Sequence, residues 1–147
     1  MSRNPFEILL IEDNPSDVEL VQEALAIWKS PTRLSVVDDG EKAIGFIHRT
    51  KQYATAPVPA LILLDLNLPK KDGIEVLREI KADAQLAQIP IIVLTTSDRE
   101  QDVKNAYLLH ANCYMTKPLE IDAFIEKIRA IEEFWLNCAR LPRALTA

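Results

Sequence analysis

Glycine is scarce in this chain: 3 of 147 residues, at Gly40, Gly45 and Gly73. A Walker phosphate loop and a dinucleotide fingerprint each need glycines clustered within a few residues, so both are excluded. Cysteine is equally thin. Cys113 and Cys138 have no metal-finger spacing and cannot build a disulfide framework. Cys113 is expected to be a small buried hydrophobe. His48 and His110 lie far apart, without cysteine nearby, and read as solvated helix residues. Runs of lysine or arginine are missing, and the net charge is −5. That balance argues against a general nucleic-acid or membrane-surface binder. No apolar window approaches the ~20 residues of a membrane span. The run from Phe6 to Ile11 is too short for a signal-peptide core and leads into acids. A cytoplasmic protein is expected.

What is present is a set of short apolar runs alternating with periodic stretches. Phe6–Ile11 reads as a buried strand. Asn14-Pro15 suits a helix start, a capping side chain followed by proline at the first helical position. Leu34–Val37 is a second strand, and Asp39-Gly40 turns into a second helix. Ala60–Leu64, the most apolar run, is predicted as the central strand, covered on both faces. Asp72 and Glu75 frame the start of the next helix. Ile89–Leu94 is a fourth strand with Pro90 at its entry. Asp98 and Gln101 are placed to cap a helix running to about His110. Cys113–Met115 is a short fifth strand, and a last helix runs from about Glu120 to about Cys138. Five β-then-α units predict a single α/β domain: a doubly wound parallel sheet of the flavodoxin-like order 2-1-3-4-5 with five helices. After Leu119 one helix and a short tail are expected, with no room for a further domain.

In such a sheet, ligands bind outside the carboxyl ends of the strands, where the order reverses. The first strand ends in Glu12-Asp13, the central one in Asp65, the fourth in Thr95, and the fifth leads into Lys117-Pro118. Three acids, a hydroxyl and an ammonium therefore converge on one rim. Two carboxylates ~4 Å apart repel by roughly 4 kcal/mol at an effective dielectric of ~20. A bound dication relieves that repulsion, and Mg2+ favours one or two carboxylates with waters and a phosphate oxygen. A carboxylate beside such a metal can take a phosphoryl group. Asp65 is then the expected acceptor, with Lys117 and Thr95 binding phosphoryl oxygens. Taken singly, Asp13 also suits a helix N-terminus, Asp65 a loop cap and Lys117 a surface lysine. Their joint placement carries the reading.

The pattern resembles the receiver domain of bacterial two-component response regulators, the CheY-like family. The matching pieces are Ile8-Leu-Leu-Ile-Glu-Asp-Asn14, Leu63-Leu-Asp-Leu-Asn-Leu-Pro69, Asp72-Gly73, Leu94-Thr-Thr-Ser97 and Tyr114-Met-Thr-Lys-Pro118. The resemblance covers about residues 6–135, leaving about 136–147 as a C-terminal extension. It implies a phosphorelay response regulator rather than a metabolic enzyme, acting only on its own phosphorylation and dephosphorylation. It implies Asp65 as phosphoacceptor, Glu12 and Asp13 placing Mg2+, and the backbone carbonyl of Asn67 as a further metal ligand. It implies a cis Lys117–Pro118 bond. Thr95 and Tyr114 become the switch, acting on the surface of the fourth helix, fifth strand and fifth helix.

A narrower resemblance runs through Leu66–Gly73, Leu94–Ser97, Asn112-Cys-Tyr114 and Phe134-Trp-Leu136. These segments are similar to the small regulators paired with cyanobacterial phytochrome histidine kinases. That implies a phosphohistidine donor on a light-sensing kinase. One departure stands out: Thr96 follows the switch threonine, where the family commonly has a small residue. A bulkier side chain there narrows access to Asp65. Asn67 and Ser97 supply no acidic base, so slow self-dephosphorylation is expected.

The last helix carries an apolar stripe of Ile121, Phe124, Ile125, Ile128, Ile131 and Trp135. Phe134, Leu136, Cys138 and Leu141 lie beyond it. At ~19 residues the helix would reach ~28 Å, past the sheet it covers. Its apolar end suggests a symmetric homodimer extended by Phe134 and Trp135, against the alternative that these residues fold back on their own domain. Three other functions fit less well, among them a non-phosphorylated receiver-like scaffold, which the intact set of Glu12, Asp13, Asp65, Thr95 and Lys117 argues against. An aspartyl-phosphate phosphohydrolase commonly has an acid where Asn67 stands. A flavin carrier would set its phosphate against Glu12-Asp13.

Overall fold

The structure, a computed structural model, describes residues 5–142. The strands are β1 (Phe6–Ile11), β2 (Thr32–Val37), β3 (Leu61–Leu64), β4 (Ile91–Thr95) and β5 (Cys113–Thr116). The helices are α1 (Pro15–Ala26), α2 (Gly40–His48), α3 (Gly73–Ala82), α4 (Glu100–Leu108) and α5 (Ile121–Ile131). The five strands form one sheet in the order β2-β1-β3-β4-β5, every neighbouring pair parallel. This is the predicted order.

Strand side chains alternate between faces, and the core divides accordingly. Leu9, Ile11, Ile62, Leu64, Ile91 and Val93 meet Phe46 of α2, Val76, Leu77 and Ile80 of α3, and Ala106 of α4. Ile8, Leu10, Leu61, Leu63, Ile92 and Leu94 meet Val21, Ala24 and Leu25 of α1 and Phe124, Ile128 and Ile131 of α5. All of β3 is buried, as a strand covered on both faces requires.

Local chemistry sets the helix starts. The Asn14 side chain accepts from the amides of Ser16 and Asp17, Asp39 from that of Lys42, and Asp72 from that of Glu75. The start of α4 differs from expectation. Its N-cap is Arg99 without a side-chain bond. Instead of an Asp98 cap, the Ser97 hydroxyl donates to Asp102 at 2.5 Å and Arg99 Nε donates to the same oxygen at 3.3 Å. That lock ties the β4–α4 loop to the first turn of α4 without Asp98.

The last helix also differs. It is α-helical only to Ile131 and continues as a π-helical segment, Glu132–Cys138. Ile121, assigned to the core stripe, is 59% exposed because it opens the first turn of α5, ahead of the buried Phe124, Ile128 and Ile131. Cys113 is half-buried rather than buried, since β5 is an edge strand. Two side chains cover groups of that strand's backbone. Tyr107 Oη accepts from the Tyr114 amide at 3.1 Å, and Lys127 Nζ donates to the Thr116 carbonyl at 2.6 Å. Among the described residues, no helix is long and apolar enough to cross a membrane.

Candidate functional site

β1, β3 and β4 all end at one rim, and each delivers a polar residue there. Glu12, Asp65, Thr95 and Lys117 are among the few polar side chains that are buried. Glu12 and Asp65 are 3% and 6% exposed, and Lys117 is 7% exposed. Glycine keeps the Asp65 loop close-packed: a Cβ on Gly73 would lie 2.4 Å from the Asp65 carbonyl oxygen. Only a residue without a side chain lets α3 start against that backbone.

The Asp65 carboxylate is held on both oxygens. Oδ1 accepts from Thr95 Oγ1 at 2.8 Å and from the Asn67 amide at 3.0 Å. Oδ2 accepts from Lys117 Nζ at 2.8 Å. That ammonium also donates to Glu12 Oε1 at 2.5 Å and Asp17 Oδ2 at 2.8 Å. A lysine has three N–H donors, and here three carboxylates take them. The other Glu12 oxygen accepts from the Asn14 amide at 3.2 Å. Lys117 reaches these partners through a trans Lys117–Pro118 bond, not the expected cis one; the described residues contain no cis peptide. A tertiary amide prefers trans by only about 0.5–1 kcal/mol, so a motif alone is a weak guide to the isomer.

Glu12, Asp13 and Asp65 each bring a carboxylate oxygen within 4.8 Å of the others. Asp13 is exposed, so the cluster opens to solvent on that side. Burial pushes the Glu12 carboxyl up, opposed by the Lys117 bond and reinforced by the charge of Asp65, to about 7. Burial works against Asp65 ionisation too, but the Lys117 ammonium and the Asn67 amide outweigh it and hold its pKa below the ordinary value. Lys117 is raised despite burial, because Asp17, Asp65 and Glu12 all bind the charged form. The cluster is thus short of positive charge, with one lysine among four acids and Glu12 inclined to hold a proton. An all-oxygen donor set with one solvent-facing member fits a hard divalent cation. Beside it lies an ionised, oriented carboxylate of nucleophilic character.

The other predicted residues fall nearby or far away. Tyr114 is half-buried on β5, and its hydroxyl donates to the Ser97 carbonyl at 2.8 Å, so its ring is tied to the loop that follows Thr95. Burial raises its pKa. Thr96 is exposed, and so is the Asn67 side chain. Phe134 and Trp135 stand apart from the rim, on the π-helical segment, ring to ring at 5.1 Å and 83°. Phe134 is 55% exposed, while Trp135 packs against the α1–α5 side of the core. Sequence reasoning missed Asp17. Its signal was an acid four residues after Asp13, in the first turn of the helix that begins at the rim.

A family model described as the response regulator receiver domain matches residues 8–129. The chain is 47% identical over 143 residues to the response regulator Rcp1 of Synechocystis sp., covering 97% of both chains. The crystal structure of the phosphorylated cyanobacterial phytochrome response regulator RcpA superimposes with a TM-score of 0.92 at 48% identity, covering 95% of this chain and 99% of that one. The Mn2+-bound form of Rcp1 superimposes at 0.91 and 47% identity, with 94% and 99% covered.

Proposed function

The chain belongs to the response regulator receiver family, and we propose that Asp65 accepts a phosphoryl group from a histidine kinase in a Mg2+-dependent reaction. The observation that carries this reading is the Asp65 carboxylate itself. It is ionised and oriented by Thr95, Asn67 and Lys117, beside the acid pair Glu12 and Asp13. An Asp65 oxygen attacks the phosphorus of a phosphoimidazole, the P–N bond breaks, and the imidazole nitrogen leaves with the bonding pair. Lys117 and Thr95 then donate to phosphoryl oxygens. Glu12, Asp13, Asp65 and the Asn67 backbone carbonyl hold the cation, which neutralises charge on the transferring oxygens when bound. Rcp1 was crystallised with Mn2+, and Mg2+ suits the same oxygen donors.

Thr95 and Tyr114 form the switch. The Thr95 hydroxyl turns from Asp65 to the phosphoryl group, and Tyr114 follows the loop it holds through Ser97. The surface that changes is α4–β5–α5, a local charge event biasing two packings. The likeness to RcpA and Rcp1 supports a phytochrome-type kinase as donor. Phosphorylation from a kinase charged by ATP puts the protein in the cytoplasm. Beyond its own phosphorylation and dephosphorylation it has no substrate. The protein pairs as a homodimer through the same face, extended by Phe134 and Trp135; exposed Tyr107, Leu108, Leu119, Ile121 and Phe134 support that surface.

The test is incubation with acetyl phosphate and Mg2+. The wild type is expected to gain one phosphoryl group by intact mass, and Asp65→Asn none. An Asp65→Asn protein modified as readily as wild type would overturn the assignment.

A further inference from the structure

Lys117 sits among three carboxylates, and their duties differ. Glu12 and Asp65 both belong to the acid cluster whose oxygens lie within 4.8 Å of one another, and Asp17 does not. A cation drawn into that cluster shares the charge of Glu12 and Asp65, and phosphorylation turns the Asp65 carboxylate into an uncharged acyl group, a weaker acceptor for the Lys117 contact at Oδ2. Both events weaken the two contacts that come from strand ends. The contact from α1 is left as it was.

The fold delivers Asp17 for this contact. Asn14 caps α1 and Pro15 opens it, which sets the helix phase at the rim. Asp17 is the third residue of α1, where the helix N-terminus favours a carboxylate. Its amide is itself held by the Asn14 side chain at 3.4 Å. From there Oδ2 reaches Lys117 Nζ at 2.8 Å with the Asp17 side chain 20% exposed and the Lys117 side chain 4% exposed. A lysine stem is flexible and loses rotamer entropy when held, so an ammonium needs a standing partner to stay aimed.

We propose that Asp17 is a positioning residue: it holds the Lys117 ammonium toward the Asp65 phosphoryl group while the cation occupies Glu12 and Asp65. This rests on Asp65 as the acceptor. Asp17 touches neither the phosphorus nor the metal and acts through Lys117.

The experiment measures the rate of Asp65 modification by acetyl phosphate at saturating Mg2+, together with Mn2+ affinity by calorimetry. Asp17→Asn is expected to slow modification about tenfold, less than the roughly hundredfold cost of a full ~1 Å misplacement because Glu12 and Asp65 still contact Lys117, with Mn2+ Kd within about threefold of wild type. Asp17→Glu, which keeps the charge, is expected to recover most of the rate. In a Lys117→Ala background, Asp17→Asn is expected to add no further slowing. A wild-type rate in Asp17→Asn overturns the proposal. So does an equal slowing with Lys117 absent, or a rate loss that higher Mg2+ restores. A wild-type protein that acetyl phosphate does not modify at all overturns the Asp65 reading, and this one with it.

Discussion

The two rims of the sheet are built on opposite terms. At the carboxyl ends of the strands, charge is buried and hydrogen-bonded: Lys117 faces three carboxylates, and the Asp65 oxygens take three donors between them. At the amino ends, the π-helical segment folds back over the α1–β2 loop with mostly apolar contacts. Trp135 and Leu136 join Phe6, Leu25 and Trp28 there. One carboxylate anchors it, Glu132, which accepts from the amides of Lys29 and Ser30 at 2.8 and 3.4 Å. The Trp28 Nε1 and Glu7 Oε1 atoms are buried without a partner. Buried charge is costly, so its concentration at one rim marks chemistry. The other rim is held by packing and tolerates orphan polar atoms.

The largest consequence for stability lies in Glu12. Its pKa rises from 4.5 in the unfolded chain to about 7 in the folded metal-free protein. The folded state therefore binds more protons through that window. Stability from this group is highest below about pH 4.5, falls as pH rises toward 7, and levels off above it. The fall is about 3 kcal/mol. Urea unfolding in chelator at pH 5 and pH 8 measures it, with Glu12→Gln as the reference that lacks the titration. Wild type should lose about that much more than Glu12→Gln between the two pH values, and Mg2+ should restore stability at pH 8. Equal pH slopes in the two proteins would show that the charged rim is not short of positive charge.

The amino-end rim should answer more weakly. Glu132→Ala removes two amide contacts of a partly exposed carboxylate and is expected to cost about 1 kcal/mol. Glu132→Gln, which keeps an acceptor, should recover most of it. Neither should change the rate of phosphorylation by acetyl phosphate. A Glu132→Ala protein that unfolds normally but phosphorylates tenfold more slowly would mean that the two rims communicate, and the contrast between them would fail.

The same contrast governs what was legible beforehand. Glu12, Asp13, Asp65, Thr95 and Lys117 could be placed because each ends or follows a strand, and parallel strands point their carboxyl ends the same way. Asp17 could not. Its carboxylate comes from a helix, and whether it reaches Lys117 depends on the phase and tilt of α1. Helix ends were the other failure. Asp98 was assigned a cap because its type suits one, yet Ser97 and Asp102 lock that turn instead. The change from α to π helix after Ile131 leaves no mark in a hydrophobic period, although the inward turn of Trp135 was legible from its place on the stripe of Phe124, Ile128 and Ile131. The trans Lys117–Pro118 bond shows the same limit, since the residue pair permits either isomer.

Phe134 gives the smallest expected effect on stability and the sharpest distinction at the apolar rim. Its ring is 55% exposed and meets Trp135 edge-on at 5.1 Å. Phe134→Ala should cost the protomer about 0.5 kcal/mol, mainly the edge contact. Trp135→Ala should cost more, because Trp135 packs against the core. If Phe134 lies in a homodimer interface, truncation removes an aromatic anchor from both copies at once, because a two-fold interface uses the same patch twice. Sedimentation velocity then shows Phe134→Ala shifted toward the mass of one protomer with its melting temperature nearly unchanged. Trp135→Ala lowers both. An unchanged mass for Phe134→Ala removes this residue from the interface and leaves α4, β5 and the first turn of α5 as the face to test.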